Sequence, residues 1–448
     1  MWSQLSTNDP HVSYACLGFG LIILESVAMY IKRVTDFSEV IPATIFGLIV
    51  GPHCLNWFSP NDWTSNERQL TLELSRIIMN IQIFTGSAEL PKRYVLRCWR
   101  SLGLLLSVVM IFGYMMNSVI IWGLLPKLRW VEALVIAGGV TATDPVLCSA
   151  VFSGGFSDSI SAELKNLLVI ESTSNDGFAL PFVMLPLYIL MHEHHAPTIA
   201  KDFICLTVLY EVCFACLLGS VIGFVSQQVL KYTSKGQKPE SMIIFNVIVS
   251  LFCAGVGSLL GVDDFLVSFS AGAAFSWSGW SHKFVGDINV TEFLDALLNS
   301  AYFIYFGAIV PWEQFNSHNI AVWRLIVIMI CIFFGRRIPI LIVLKPFIKE
   351  LSTWKDVFVA GHFGPIGVAA IYMSLYALEF IHENDHPISD YFKQVLWPVT
   401  AFLVLVSVFV HGSSVSVMKI HSFIKKRKEK RLDDMELPGC VSISSLDK

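Results

Sequence analysis

The sequence predicts an all-α polytopic membrane protein of about thirteen transmembrane helices, each a run of about 20 predominantly apolar residues. Composition points there first: 54% of the 448 residues are hydrophobic and 15% charged, where a soluble globular chain is about 25% charged. Mean hydropathy is +0.62, and apolar stretches of spanning length use more than half of the chain. Residues 1–423 therefore read as one transmembrane domain, with 424–448 as a short disordered cytoplasmic tail.

The first apolar run, His11 to Ile31, reads as a retained helix, because no basic leader or small-residue cleavage site precedes it. Further spans are expected to begin near Val40, Leu70, Ser101, Val131, Leu164, Phe203, Met242, Asp263, Glu292, Ile320, Val357 and Phe392. Cys16, Cys148, Cys205, Cys213, Cys216, Cys253 and Cys331 fall inside apolar runs without metal-ligand or redox spacing, so they read as buried small hydrophobes. The net charge of −4 gives no reason to expect a nucleic-acid partner.

Connections between the spans alternate in charge. One set carries Lys32, Arg33, Lys92, Arg93, Arg97, Arg100, Lys165, Lys231, Lys235, Lys238, Lys283, Lys345, Lys349 and Lys355; the other holds few basic residues. The positive-inside rule places the basic set in the cytoplasm, with the N-terminus outside and the C-terminus inside. The run from Lys425 to Arg431 agrees, and it reads as either a topology-fixing flank or an anionic-lipid clamp. Asn289, Val290 and Thr291 fit the glycosylation pattern, but this topology puts them in the cytoplasm, unmodified.

An ionisable group inside a span costs on the order of 3 kcal/mol, so each one is a functional candidate. Asp144 lies in a run interrupted by Gly138, Gly139, Thr141, Thr143 and Pro145. Proline removes a donor and clashes one turn back, so this span should be locally unwound. Unwound backbone at membrane depth is tolerated where it lines a cavity or is buried in protein. Taken alone, Thr143, Asp144 and Pro145 fit a helix N-cap as well as an ion site.

The next span holds Glu171, Ser172, Asn175 and Asp176. Residues four apart share a helical face, which stacks Ser172 with Asp176 and Glu171 with Asn175. Gly335-Arg336-Arg337-Ile338-Pro339 sits inside the apolar stretch from Ile320 to Val343. Two mid-span arginines suggest that at least one neutralises a buried acid. Arg337 is assigned to Glu171, which leaves Asp144 and Asp176 uncompensated. Burial disfavours the charged form of such an acid, so it can exchange a proton near neutral pH. Cation and proton would then compete for the same oxygens: the two carboxylates, the Thr143 and Ser172 hydroxyls and a freed carbonyl suit a hard ion such as Na⁺ or Li⁺.

Weaker candidates for the pathway or a pH response are Asp263 and Asp264, which equally fit first-turn acids, His362 in a Gly/Pro-interrupted run, and Glu89 at a helix end before Pro91. The run His192-Glu193-His194-His195 lacks metal-ligand spacing and reads as solvated loop. No cofactor is expected. The alternatives are an intramembrane aspartyl protease with Asp144 and Asp176 as its dyad, and a cation channel. Glu171 and the paired arginines have no role in the first, and the second lacks a carbonyl filter or symmetric pore repeats.

TDPV from Thr143, ESTSNDG from Glu171, VDDFLVSF from Val262, GRRIP, GHFGPIGVAAIY and GLIVGP from Gly47 together resemble the fungal Na⁺/H⁺ antiporters of the cation:proton antiporter family, in particular its short-tailed members. The resemblance runs in order over nearly the whole membrane region. It implies a thirteen-helix inverted-repeat antiporter fold with broken crossing helices, and interleaved dimerisation and mobile core subdomains that move as an elevator. It further implies a homodimer in the lipid bilayer of the plasma membrane, exchanging Na⁺ or Li⁺ for H⁺ in salt tolerance and pH homeostasis. Ion binding at Thr143, Asp144, Ser172 and Asp176 follows from the same matches, and the pair Asn175 and Asp176 is associated with electroneutral exchange. Prokaryotic relatives carry a further ligand acid near FxG in the third helix, where this chain has Phe84-Thr85-Gly86.

Overall fold

The computed structural model describes residues 9–32, 38–64, 66–145, 148, 160–192, 195–233, 240–279, 290–317, 319–384 and 388–436. Among these the regular elements are helical, without a strand. A helix satisfies its backbone donors and acceptors internally, as a chain surrounded by hydrocarbon requires.

In chain order the main helices are α1 (Asp9–Lys32), α2 (Val40–Val50), α3 (Glu67–Ala88), α4 (Trp99–Leu124), α5 (Trp130–Thr141), α6 (Ala162–Met191) and α7 (Ala196–Thr233). There follow α8 (Glu240–Leu260), α9 (Asp264–Ser276), α10 (Val290–Ile309), α11 (Val322–Phe347), α12 (Trp354–His362), α13 (Val368–Glu383) and α14 (Asp390–Glu436). Apart from α7, which begins well before Phe203, and α13, which has no separate expected start, they begin within about three residues of the expected positions. By length and composition, five helices among the described residues can cross a membrane: α4, α6, α7, α11 and the Asp390–Ser414 part of α14. α6 and α14 are mostly buried, whereas α7 and α11 turn most of their surface outward.

Local chemistry sets the boundaries. Asn66 and Ser161 cap α3 and α6 through their side chains, and Thr353 caps α12 in a reciprocal pair with Asp356. Glu132, fully buried, accepts the Arg129 N–H at 2.9 Å and so closes the start of α5. α7 packs closely on α9 because Gly219 and Gly223 let it sit on the carbonyls of Val267 and Ala271, where any Cβ would collide.

The stretch expected from Val357 is interrupted at its Gly/Pro run: two helices, α12 and α13, are separated by non-helical residues 363–367. Three expectations need correction. α11 is interrupted at Arg336 and Arg337, because Pro339 cannot donate the N–H that would continue the helix there. α14 carries helical backbone through the basic run to Glu436, so 424–436 is helix, and 437–448 lie outside the described residues. Cys16, Cys148 and Cys253 are buried, but Cys205, Cys213 and Cys331 are exposed on helix surfaces and Cys216 is partly exposed. An apolar run reads alike whether it faces lipid or a neighbouring helix.

Candidate ion-binding site

Two interrupted helices meet at the centre of the protein. α5 stops at Thr141, Ala142 is extended, and Pro145 restarts helical backbone, leaving Thr143 and Asp144 outside regular structure. Opposite them lies the non-helical segment 363–367 between α12 and α13. The two breaks are joined directly, because the Asp144 N–H donates to the Pro365 carbonyl at 2.9 Å. The Cys148 N–H donates to the Asp144 carbonyl at 3.3 Å, so Asp144 also stands at the head of the next turn.

The helix ends here are matched in charge. The Asp144 carboxylate lies against Gly367, at the N-terminus of α13, where a helix dipole favours an anion. A side chain at 367 would occupy the space of that carboxylate. Arg336, 4% exposed, donates from Nη1 to the Val140 carbonyl at 2.8 Å and from Nη2 to the Gly364 carbonyl. Those carbonyls belong to the C-terminal ends of α5 and α12, where a cation is favourable. One guanidinium thus fastens both breaks.

α6 supplies the remaining groups. Asn175 donates from Nδ2 to Thr143 Oγ1 at 2.7 Å and accepts the Thr143 N–H at 3.2 Å. The residue before Asp176 therefore holds the residue before Asp144. Asp176 has no exposed surface, and both of its carboxylate oxygens lack a hydrogen-bond partner among the described residues. Asp144 and Asp263 are within electrostatic reach of it. Ser172, 1% exposed, donates to the Val169 carbonyl at 3.0 Å, which leaves its oxygen free to accept.

Arg337 donates from Nη1 to Glu171 Oε1 at 2.7 Å and from Nη2 to Oε2 at 2.9 Å. This two-pronged pair, with both side chains almost fully buried, balances the first acid of the cluster and leaves the second alone.

Of the weaker candidates, His362 borders the crossing beside Arg336 and Arg337, and the others are set around it. Asp263 is the N-cap of α9, accepting the Leu266 N–H at 3.1 Å. Asp264 accepts from Asn80 at 2.9 Å and lies 3.5 Å from the Arg76 guanidinium. His362 packs edge-on to Phe333 with ring centroids 5.3 Å apart, and the His411 ring is at the same distance. Glu89 is exposed where α3 ends. Thr85, in the FxG stretch, is buried and bonds to the Ile81 carbonyl at 2.6 Å. His192 pairs with Asp202 at 3.2 Å, Glu193 and His194 lie outside the described residues, and no cluster of metal-ligating side chains occurs among the described residues. Asn289 is also outside them.

The sequence leaves Arg336 without a partner and does not single out Glu211. Arg336 was paired with nothing because its partners are carbonyls far away in the chain. Glu211 is an acid inside the apolar run VLYEVCFACLL, and the cost of burying it was signal enough.

Residues 21–420 match the family model described as "Sodium/hydrogen exchanger, transmembrane". The chain belongs to the sodium/hydrogen exchanger family. It is an integral membrane protein, and because this is a family of transporters the enzyme alternative falls away. Among similar proteins, a Na(+)/H(+) antiporter of Saccharomyces cerevisiae is 42% identical over 94% of this chain and 44% of its own length. Na(+)/H(+) antiporter 2 of Zygosaccharomyces rouxii is 41% identical over 94% of this chain and 54% of its own. The chain thus spans about half the length of these two relatives. A Na(+)/H(+) antiporter of Schizosaccharomyces pombe is 32% identical over 97% of both chains. The fold is that of the sodium proton antiporter of Methanocaldococcus jannaschii, with a TM-score of 0.67 at 16% identity over 96% of this chain and 98% of that one.

Proposed function

We propose that this family member is a secondary active antiporter that exchanges cytoplasmic Na⁺ or Li⁺, with K⁺ as a further candidate, for external H⁺. The reading rests on one observation above others: Asp176 is buried with both oxygens unpartnered while its neighbour Glu171 is neutralised by Arg337.

A buried carboxylate cannot stay charged without a partner, so it takes up either a proton or a metal cation. Competition for one set of oxygens makes the two occupancies mutually exclusive, and exclusivity is what couples opposite fluxes. Asp176 is the carrier in this scheme. Asp144, set on the broken segment, is the second carboxylate ligand, and the Thr143 and Ser172 oxygens complete a hard-cation shell. Asn175 keeps the two segments in register. Transport then proceeds by an elevator movement of the core carrying the crossing, in a homodimer of about thirteen-span subunits in the plasma membrane with the N-terminus outside.

The test is fluorescence dequenching with the purified protein in liposomes, adding Na⁺, Li⁺ and K⁺ in turn with the membrane potential clamped or free. Cation-driven proton movement at the same rate with the potential clamped or free supports an electroneutral exchanger, and acceleration by the clamp supports an electrogenic one. Cation flux without proton movement contradicts the proposal and favours a channel.

A further inference from the structure

We propose that Glu211 and Asp263 form a second alkali-cation site, separate from the Asp144 and Asp176 crossing and one helical turn along α6 from it. A cavity of about 160 Å³ is lined by Glu211, Asp263, Asp264, Arg76 and Tyr376, and by Leu180, which follows Asp176 by one turn of α6. At about 30 Å³ per water, that volume accommodates a partly hydrated Na⁺.

Each of the two acids lines this space and keeps one carboxylate oxygen unsatisfied. Glu211 is 7% exposed and Asp263 5%. Glu211 Oε2 and Asp263 Oδ2 are buried without a hydrogen-bond partner. Capping of α9 uses the other Asp263 oxygen, so the free one serves no structural purpose there. The Asp263 N–H donates to the Glu211 carbonyl at 3.1 Å, which fixes α7 and the head of α9 at one level. Glu211 lies on a π-helical segment of α7, Asp202–Phe214. Such segments shift side-chain register and occur often at functional sites.

The nearby cation is already committed. Arg76 is 2.6 Å from Glu73 and 3.5 Å from Asp264, and it donates to the Tyr372 hydroxyl at 3.3 Å. Asp264 is thereby balanced. Among the described residues no basic group lies within ion-pair distance of Glu211 or Asp263. Two uncompensated carboxylates around a small cavity lined by polar groups are suited to a hard monovalent ion.

This site rests on the antiport reading only for its role as a stop on the route to Asp176; its binding is measured independently. Equilibrium binding of radioactive Na⁺ to the purified full chain in detergent is compared for wild type, Asp176→Asn, Asp176→Asn/Glu211→Gln and Asp176→Asn/Asp263→Asn. Asp176→Asn is expected to keep part of the binding, and each second substitution to weaken that residue of binding by about tenfold or more. Glu211→Asp in the same background restores it, which separates ligand loss from misfolding. Unchanged binding on adding Glu211→Gln, or no binding to Asp176→Asn at all, overturns the second site. If Asp176→Asn instead exchanges like wild type in liposomes, the antiport assignment fails while the Glu211 result stands by itself.

Discussion

Asn175 holds Thr143 through two hydrogen bonds, one to its hydroxyl and one from its backbone N–H. Because each residue directly precedes an acid, this amide bridge sets the spacing of Asp144 and Asp176. Asn175→Ala removes both bonds, each worth about 1 kcal/mol net when buried. Apparent Na⁺ affinity is expected to fall by about tenfold, read as the half-maximal concentration in liposome dequenching. An unchanged value would mean that the bridge does not position the acids.

Arg337 and Glu171 neutralise one another, so removing one partner strands a buried charge. Arg337→Ala should cost about 3–5 kcal/mol, seen as early thermal unfolding in detergent, and adding Glu171→Gln should recover much of the loss. Arg336→Ala is also expected to destabilise, by freeing the Val140 and Gly364 carbonyls, but Glu171→Gln should not rescue it. A stable Arg337→Ala alongside rescue of Arg336→Ala by Glu171→Gln would reverse the assignment of the arginines.

Gly367 touches the Asp144 carboxylate where the breaks cross. Gly367→Ala drives a methyl into that carboxylate, and overpacking of a tight site costs about 1–3 kcal/mol. The expected outcome is a folded protein whose exchange rate drops at least tenfold, measured by proton flux per reconstituted molecule. Normal exchange would show that Asp144 needs no such clearance.

Much of this site was legible because membrane interiors make polar residues conspicuous. Asp144, Glu171 and Asp176 stood out as acids in apolar runs, and Pro145 and the Gly/Pro-rich segment around Pro365 announced both interruptions. The crossing itself was not readable from local chemistry, since the Asp144 to Pro365 bond joins segments far apart in sequence. Arg336 was obscured for the same reason: its acceptors are main-chain carbonyls, which every residue possesses. Glu211 met the same criterion as the other acids but sat alone, without the Gly, Pro or second polar residue that drew attention to them. Helix ends were harder still at α14, where composition turns polar well before the helix stops.

The most direct test of the central claim is proton movement driven by added Na⁺ in liposomes containing Asp176→Asn beside wild type at matched reconstitution. The variant keeps the shape of the side chain and removes the charge and the exchangeable proton. Wild type should acidify or alkalinise the lumen in response to the Na⁺ gradient, and Asp176→Asn should show no response while remaining monodisperse. Exchange at the wild-type rate in that variant would contradict Asp176 as the shared seat of cation and proton.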